Sequence, residues 1–242
     1  MANKGGRTTV KRQLAPVFWD INRKQGRFIV RTYPGTHAKK YAYSIGVILR
    51  DVLKVTKNMH EAKKIVNAGK VKVDNVIRYD VNFAVGLMDT IELVSSQQKV
   101  YRLVPSNSLL LFPIEISDNE KTLKLVKIKT KNIIKGSKIQ YGFHDGKTVI
   151  SENVYSVGDT CLIKVPELEI IETLKLQSDC LAILTRGDNA GSIGKIQEIK
   201  EGTFSLPKRV IISVDSRLLE IPIDMIMVIS ERDNNNPKIK VN

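Results

Sequence analysis

Apolar residues recur along this chain with two different periods. Ile45, Ile48, Leu49 and Val52 follow the spacing i, i+3, i+4, i+7, which is one face of a helix. Asn58 then precedes a second such set, Met59, Ala62, Ile65 and Val66, with Glu61 at the third helical position. That is the signature of an N-cap, and Gly69 is placed to stop the helix in a left-handed turn. From Lys70 the period drops to two. Lys70, Val71, Lys72 and Val73 alternate as in a half-buried strand, and Asp74-Asn75 suits the positive φ of a tight hairpin turn. Val76–Tyr79 reads as the return strand, and a turn at Gly86 leads to a third strand over 90–94.

Residues 100–170 read as short β-rich runs separated by Asn, Asp, Gly and Ser, with a hairpin turn at Asp145-Gly146. Such spacing predicts a small barrel. Lys124, Lys127, Lys129, Lys131, Lys135 and Lys138 fill one ribbon, either as a charged edge or as a contact to RNA. Asp89 and Asp159 stand beside turn glycines and read as turn residues.

Further on, the apolar run Cys180–Leu184 leads into Gly187, Gly191 and Gly194, and alternation resumes over Ile193–Ile199. A phosphate-binding P-loop would need glycine at Asn189 and a hydroxyl residue at Ile196, so the stretch fails that pattern twice. The three glycines also miss the dinucleotide spacing, and Arg186-Gly187-Asp188 is an adhesion tripeptide by chance only. What fits is a strand, a tight glycine loop and a strand, with Lys195 as the basic residue beside it.

Charge changes this picture from a fold to a partner. The 242 residues carry a net +14 with a pI of about 9.7, a field that attracts polyanions. No apolar run approaches the ~18 residues of a membrane span, and no signal core follows the basic N-terminus, so a cytoplasmic protein is expected. Cys161 and Cys180 lack metal or framework spacing and read as core thiols. Residues 1–43 hold ten Lys/Arg against one acid, Asp20, a net +9, whereas residues 171–242 hold ten of each. The first segment has no sustained period and interleaves its cations with aromatics. It reads as a self-repelling arm that does not fold alone and that binds RNA, with Trp19 packed on protein. Its candidate phosphate contacts are Lys4, Arg7, Lys11, Arg12, Arg23 and Lys24, then Arg27, Arg31, His37, Lys39 and Lys40. Two helices and a hairpin would gather a second set: Arg50, Lys54, Lys57, Lys63, Lys64, Lys70, Lys72 and Arg78.

The stretches Leu49–Leu53, Glu61–Gly69, Val71–Val73, Asp74-Asn75 and Gly86–Leu93 closely resemble the small RNA-binding domain first named from bacterial ribosomal protein S-four. The glycine loop, with spacing G-x-x-x-G-x-x-G, resembles a KOW motif. The order of arm, S-four-like domain, β domain and KOW motif resembles the small-subunit ribosomal protein S-four-e family of archaea and eukaryotes over essentially the whole chain. "LAPVFWDINRKQGRFIVRTYPGTHAKK", "ILRDVLKVTKNMHEAKKIVNAGKVKVD" and "VGLMDTIEL" carry the match. Thr36 replaces the family's usual proline before His37, Ser44-Ile-Gly46 lacks another, and Ser192 stands where a basic residue is common. The C-terminal "RDNNNPKIKVN" lacks the longer basic extension of many eukaryotic members, which points to an archaeal source.

The resemblance implies an α+β, multidomain chain. Its parts would be a basic arm (1–43), an S-four-like two-helix and β RNA-binding domain (44–99), a β-rich central domain (100–172) and an SH3-like β-barrel with the KOW motif and a tail (173–242). It implies a structural ribosomal component, not an enzyme, whose partners are small-subunit rRNA and neighbouring ribosomal proteins. No membrane, cofactor, metal or small-molecule substrate is expected. His37, His60 and His144 are scattered with no nucleophile or carboxylate arranged around them, so no catalytic constellation emerges. The alternative is an RNA-binding module of an RNA-modifying enzyme or a transcription elongation factor.

Overall fold

A computed structural model describes residues 8–22, 26–94, 99–107, 111–214, 217–231 and 237–241. Its first element pair lies in the segment expected to be an unfolded arm. Strand β1 (Thr9–Lys11) pairs antiparallel with β2 (Phe28–Val30). Val10, Trp19, Ile21 and Ile29 are buried in one cluster with Tyr43 and the helical residues that follow. Trp19 Nε1 donates to Ala42 O at 2.9 Å, and the Asn82 amide donates to the carbonyls of Thr8 and Arg31. The few apolar residues of the segment suffice because they cover an existing face and need not form a core of their own. Elements three residues long leave no period to read.

Next come β3 (Tyr43–Ser44) and α1 (Ile45–Val47), the latter capped by Ser44 Oγ accepting from Val47 N. The expected first helix continues as a π turn, Ile48–Val52, in which Leu53 N donates to Ile48 O five residues back. Its apolar face is the expected one, since Ile45, Ile48 and Leu49 are all buried. Helix α2 (Met59–Asn67) starts where expected, but Asn58 makes no side-chain cap bond. Glu61 Oε2 instead accepts from Lys57 N at 2.8 Å. Gly69, at φ +71°, ends the helix.

Strands β4 (Val71–Val73) and β5 (Val76–Ile77) form the expected hairpin, with Asp74 and Asn75 at φ +50° and +63°. The short β6 (Ala84–Val85) pairs with β3. The third strand, β7 (Thr90–Leu93), is buried along its whole length and has neighbours on both sides. One is β4; the other is β8 (Lys99–Val104), followed by β9 (Phe112–Glu115), in the order β5-β4-β7-β8-β9. The sheet therefore runs past residue 100, where a boundary was expected. A central strand needs a second partner, and β8 supplies it.

The next sheet has the order β12-β11-β10-β13-β14, built from β10 (Leu123–Ile133), β11 (Ile139–Phe143), β12 (Thr148–Ser151), β13 (Thr160–Lys164) and β14 (Glu169–Leu174). Asp145-Gly146 makes the β11–β12 turn with Gly146 at φ +77°. The last sheet comprises β15 (Leu181–Leu184), β16 (Ile193–Lys200), β17 (Arg209–Val214), β18 (Arg217–Pro222) and β19 (Ile226–Val228), ordered β18-β17-β16-β15-β19. Its core is shared: Met88, Val104, Leu125, Leu162 and Leu174 pack into it, as do Ile239 and Val241 near the C-terminus. Arg102, fully buried, donates to Glu120, Leu123 O and Lys240 O, tying the first sheet to that C-terminal stretch.

The glycine loop joins β15 to β16 and folds against the chain itself. Gly187 and Gly191 have φ of +91° and +87°. A Cβ at Gly187 would meet open space, whereas one at Gly191 would sit 2.7 Å from Pro105 O. Both alanine substitutions strain the backbone, a cost of about 1–3 kcal/mol, but only Gly191→Ala also collides with main chain. Thermal unfolding should therefore show Gly191→Ala clearly less stable than Gly187→Ala; equal midpoints would refute the packing role of Gly191.

Candidate nucleic-acid interface

Helix α2 buries Ala62 and Val66 and so turns Lys63, Lys64 and His60 outward. Lys54 and Lys57 on the preceding turn and Lys70 after the helix are exposed as well. None of these five lysines forms an ion pair with a described residue. They leave five cations open to solvent on helix α2 and the turns that flank it. The other three residues expected here are committed internally. Arg50 donates twice to the Asp51 carboxylate at 2.9 and 2.8 Å. Lys72 lies 3.2 Å from Glu92, its cross-strand partner. The Arg78 guanidinium covers the Phe83 ring at 4.3 Å.

In the N-terminal segment, Lys11, Arg27, Arg31 and Lys40 are exposed. Arg12 instead donates to Ile21 O at 2.6 Å, and Lys39 to Leu14 O at 2.9 Å, so both brace the fold. Lys11, Arg12 and Arg27 line an open cleft of about 490 Å³, with Gln13 and Gly26. Lys4, Arg7, Arg23 and Lys24 lie outside the described residues. Lys195 is half-exposed and sits 3.0 Å from Asp179.

His37, expected at a phosphate, has a side chain that is 5% exposed and stands 3.0 Å from Asp89 Oδ2. The contact lies off the direction a hydrogen bond needs, so His37 Nε2 has no hydrogen-bond partner among the described residues. The lysine ribbon of β10 also divides. Lys124 is fully buried, 2.7 Å from Asp74 and 3.0 Å from Asp145, and bonded to Asp89 too. Lys127 is buried and donates to the carbonyls of Ile223 and Ile226. Lys129, Lys131, Lys135 and Lys138 are exposed. The two buried lysines were missed because alternation cannot show that the first half of β10 is covered on both faces.

Electrostatics inside this junction follow from burial and pairing. Burial alone would raise the Asp89 carboxyl, but His37 and Lys124 outweigh it and hold it well below the usual range. Burial pushes His144 down to about 3, so its ring is neutral. Its Nδ1 accepts from Lys127 N, which leaves the proton on Nε2, 3.1 Å from Leu87 O. Asp159 accepts from Ser156 N and Leu176 N, as a turn residue would. Both cysteines are buried thiols, and burial raises the Cys161 thiol to about 11. No cluster of three metal-ligating side chains occurs among the described residues, and no described helix is long and apolar enough to cross a membrane.

The chain is similar to known proteins along most of its length. Residues 4–40 match the family model of the RS4NT (NUC023) domain, and residues 97–170 match that of the ribosomal family S4e. The small ribosomal subunit protein eS4 of Methanothermobacter thermautotrophicus is 37% identical over 214 residues, covering 88% of this chain and 87% of the relative. That of Pyrobaculum islandicum is 40% identical over 195 residues, covering 78% and 82%. That of Archaeoglobus fulgidus is 33% identical over 229 residues, covering 95% and 96%. The crystal structure of the 30S ribosomal protein S4e from Thermoplasma acidophilum superposes with a TM-score of 0.67 at 30% identity, over 79% of this chain and 96% of that one. With sequence similarity along nearly the full length and a shared fold, the chain belongs to the eS4 family of small ribosomal subunit proteins.

Proposed function

We propose that this chain is a structural constituent of the small ribosomal subunit that binds and stabilises its rRNA, with neighbouring ribosomal proteins as further partners. It is not an enzyme. The observation that carries the reading is the sorting of charge. Buried cations are matched with carboxylates or carbonyls inside, while Lys54, Lys57, Lys63, Lys64 and Lys70 face outward unpaired among the described residues. Such a face grips phosphates and gives affinity and register with little base readout. In folded RNA the deep groove excludes side chains, so the shape of a junction is the target.

Four working parts follow from the same reading. The arm lays Lys11, Arg27, Arg31 and Lys40 along RNA. The S-four-like unit takes in β8 and β9 with its two helical turns. A central β unit follows, and the last is an SH3-like barrel whose KOW-type loop is held by the chain's own Pro105. The experiment is fractionation of a native lysate: the protein should travel with small subunits and remain there as salt rises.

A further inference from the structure

We propose that the four parts together build a phosphate-binding site where they meet, with Arg186 and Lys129 as its cationic arms. The cavity has a volume of about 150 Å³, room for one phosphate group. His37 and Tyr41 come from the N-terminal segment, Lys129 and His144 from the central sheet, and Thr185 and Arg186 from the start of the glycine loop. No carboxylate is among its lining residues. The nearby Asp89 and Asp145 are turned to Lys124.

Three features show that the arms are placed. The Arg186 guanidinium lies over the Tyr41 ring at 3.8 Å, which fixes its plane and leaves the edge N–H donors free. Arg186 and Lys129 make no hydrogen bond or ion pair with a described residue. Lys129 is the extra residue in the β10–β11 pairing, where the register shifts between Ile128 and Thr130. A bulge of this kind re-aims a side chain, and bulges gather beside functional sites. The positive field is felt locally: after burial and the opposing pull of Asp224, the like charges of Lys129 and Arg186 help push Lys127 down to about 8. Thr185 and the buried His37 ring add a polar wall, while His144 is neutral and bonded to Leu87 O.

A phosphate here would bind all four parts at once. The site rests on the rRNA-binding reading, and its ligand chemistry is shared by RNA backbone and free phosphate. The test uses the full chain, with Lys129→Gln alone and Lys129→Gln/Arg186→Gln together. Lys129 is exposed at its bulge, so the single variant keeps the fold. Binding to small-subunit rRNA is measured across a salt series, and inorganic phosphate is titrated while the backbone amide resonance of Thr185, which lines the cavity in every variant, is followed. We expect the double variant to bind rRNA about ten-fold more weakly, with a log–log salt slope shallower by about 1, and the single variant to fall between it and wild type. Loss of the phosphate response with unchanged rRNA binding would assign the site to free phosphate. If the variants match wild type in both assays while wild type binds rRNA, the site is refuted. If wild type does not bind rRNA, the functional reading fails, and the phosphate titration still decides the site.

Discussion

Replacing Lys124 with methionine should cost the protein about 3–5 kcal/mol of stability at pH 7. The ammonium is fully buried among Asp74, Asp89 and Asp145, whose side chains are 5%, 3% and 0% exposed. Lys147 also reaches Asp74 and His37 flanks Asp89, whereas Asp145 would keep only the Lys147 backbone N–H at 3.1 Å and the more distant Lys147 ammonium at 3.9 Å. Methionine fills the volume and leaves carboxylates buried without their counter-charge. A loss of this size is a large share of the ~5–15 kcal/mol that holds a typical fold. Urea unfolding followed through the single tryptophan, Trp19, reads it.

The pH dependence gives the sign. In the wild type, burial raises the Asp89 and Asp145 carboxyls, but neighbouring cations outweigh it and the net shift is downward. Such groups contribute stability above their unfolded value of about 3.9, and lose it as pH falls through the folded value. Without Lys124, burial dominates and the carboxyls rise. Their penalty is then full at neutral pH and relieved as pH falls. The gap between wild type and variant should narrow from pH 7 toward pH 4, and Lys124→Met/Asp145→Asn should recover part of the loss at pH 7. A gap independent of pH would mean that the charge of Lys124 is not what holds the junction.

Neutralising Lys54, Lys57, Lys63 and Lys64 to glutamine should have the largest effect on RNA binding. All four are exposed, so the fold is unaffected and circular dichroism should be unchanged. Each phosphate contact adds about 0.7–0.9 to the steepness of log affinity against log salt. Removing four should flatten that slope by about 3. At low salt the loss of affinity should be greatest, and it should shrink as salt screens the remaining contacts. Arg50→Gln is the contrast: its guanidinium is held by Asp51, so the slope should change little. An unchanged slope in the four-lysine variant would move the RNA to another face.

Local chemistry made much of this legible in advance. Asn58 and Gly69 bracket α2, and Asp74-Asn75 and Asp145-Gly146 turn their hairpins, because each depends on a few adjacent residues. What stayed hidden depends on distance. The three-residue strands β1 and β2 carry no period, so the packing of Trp19 against Tyr43 could not be read from the arm. A face spaced at i, i+3, i+4 looks the same whether the backbone turns as α or π, which hid the turn at Ile48–Val52. Lys124 and Lys131 look alike along β10, yet one is buried between sheets and the other is exposed. Arg186 looked like part of a chance tripeptide, and its partner Tyr41 lies far back in the chain.

The most direct measurement is a sucrose gradient of native lysate, probed for this protein and repeated at rising salt. The account predicts that it sediments with the small subunit and stays there through a high-salt wash, because many phosphate contacts and an embedded fold hold it. Recovery at the top of the gradient, or with RNA polymerase, at low salt would contradict a structural place in the subunit.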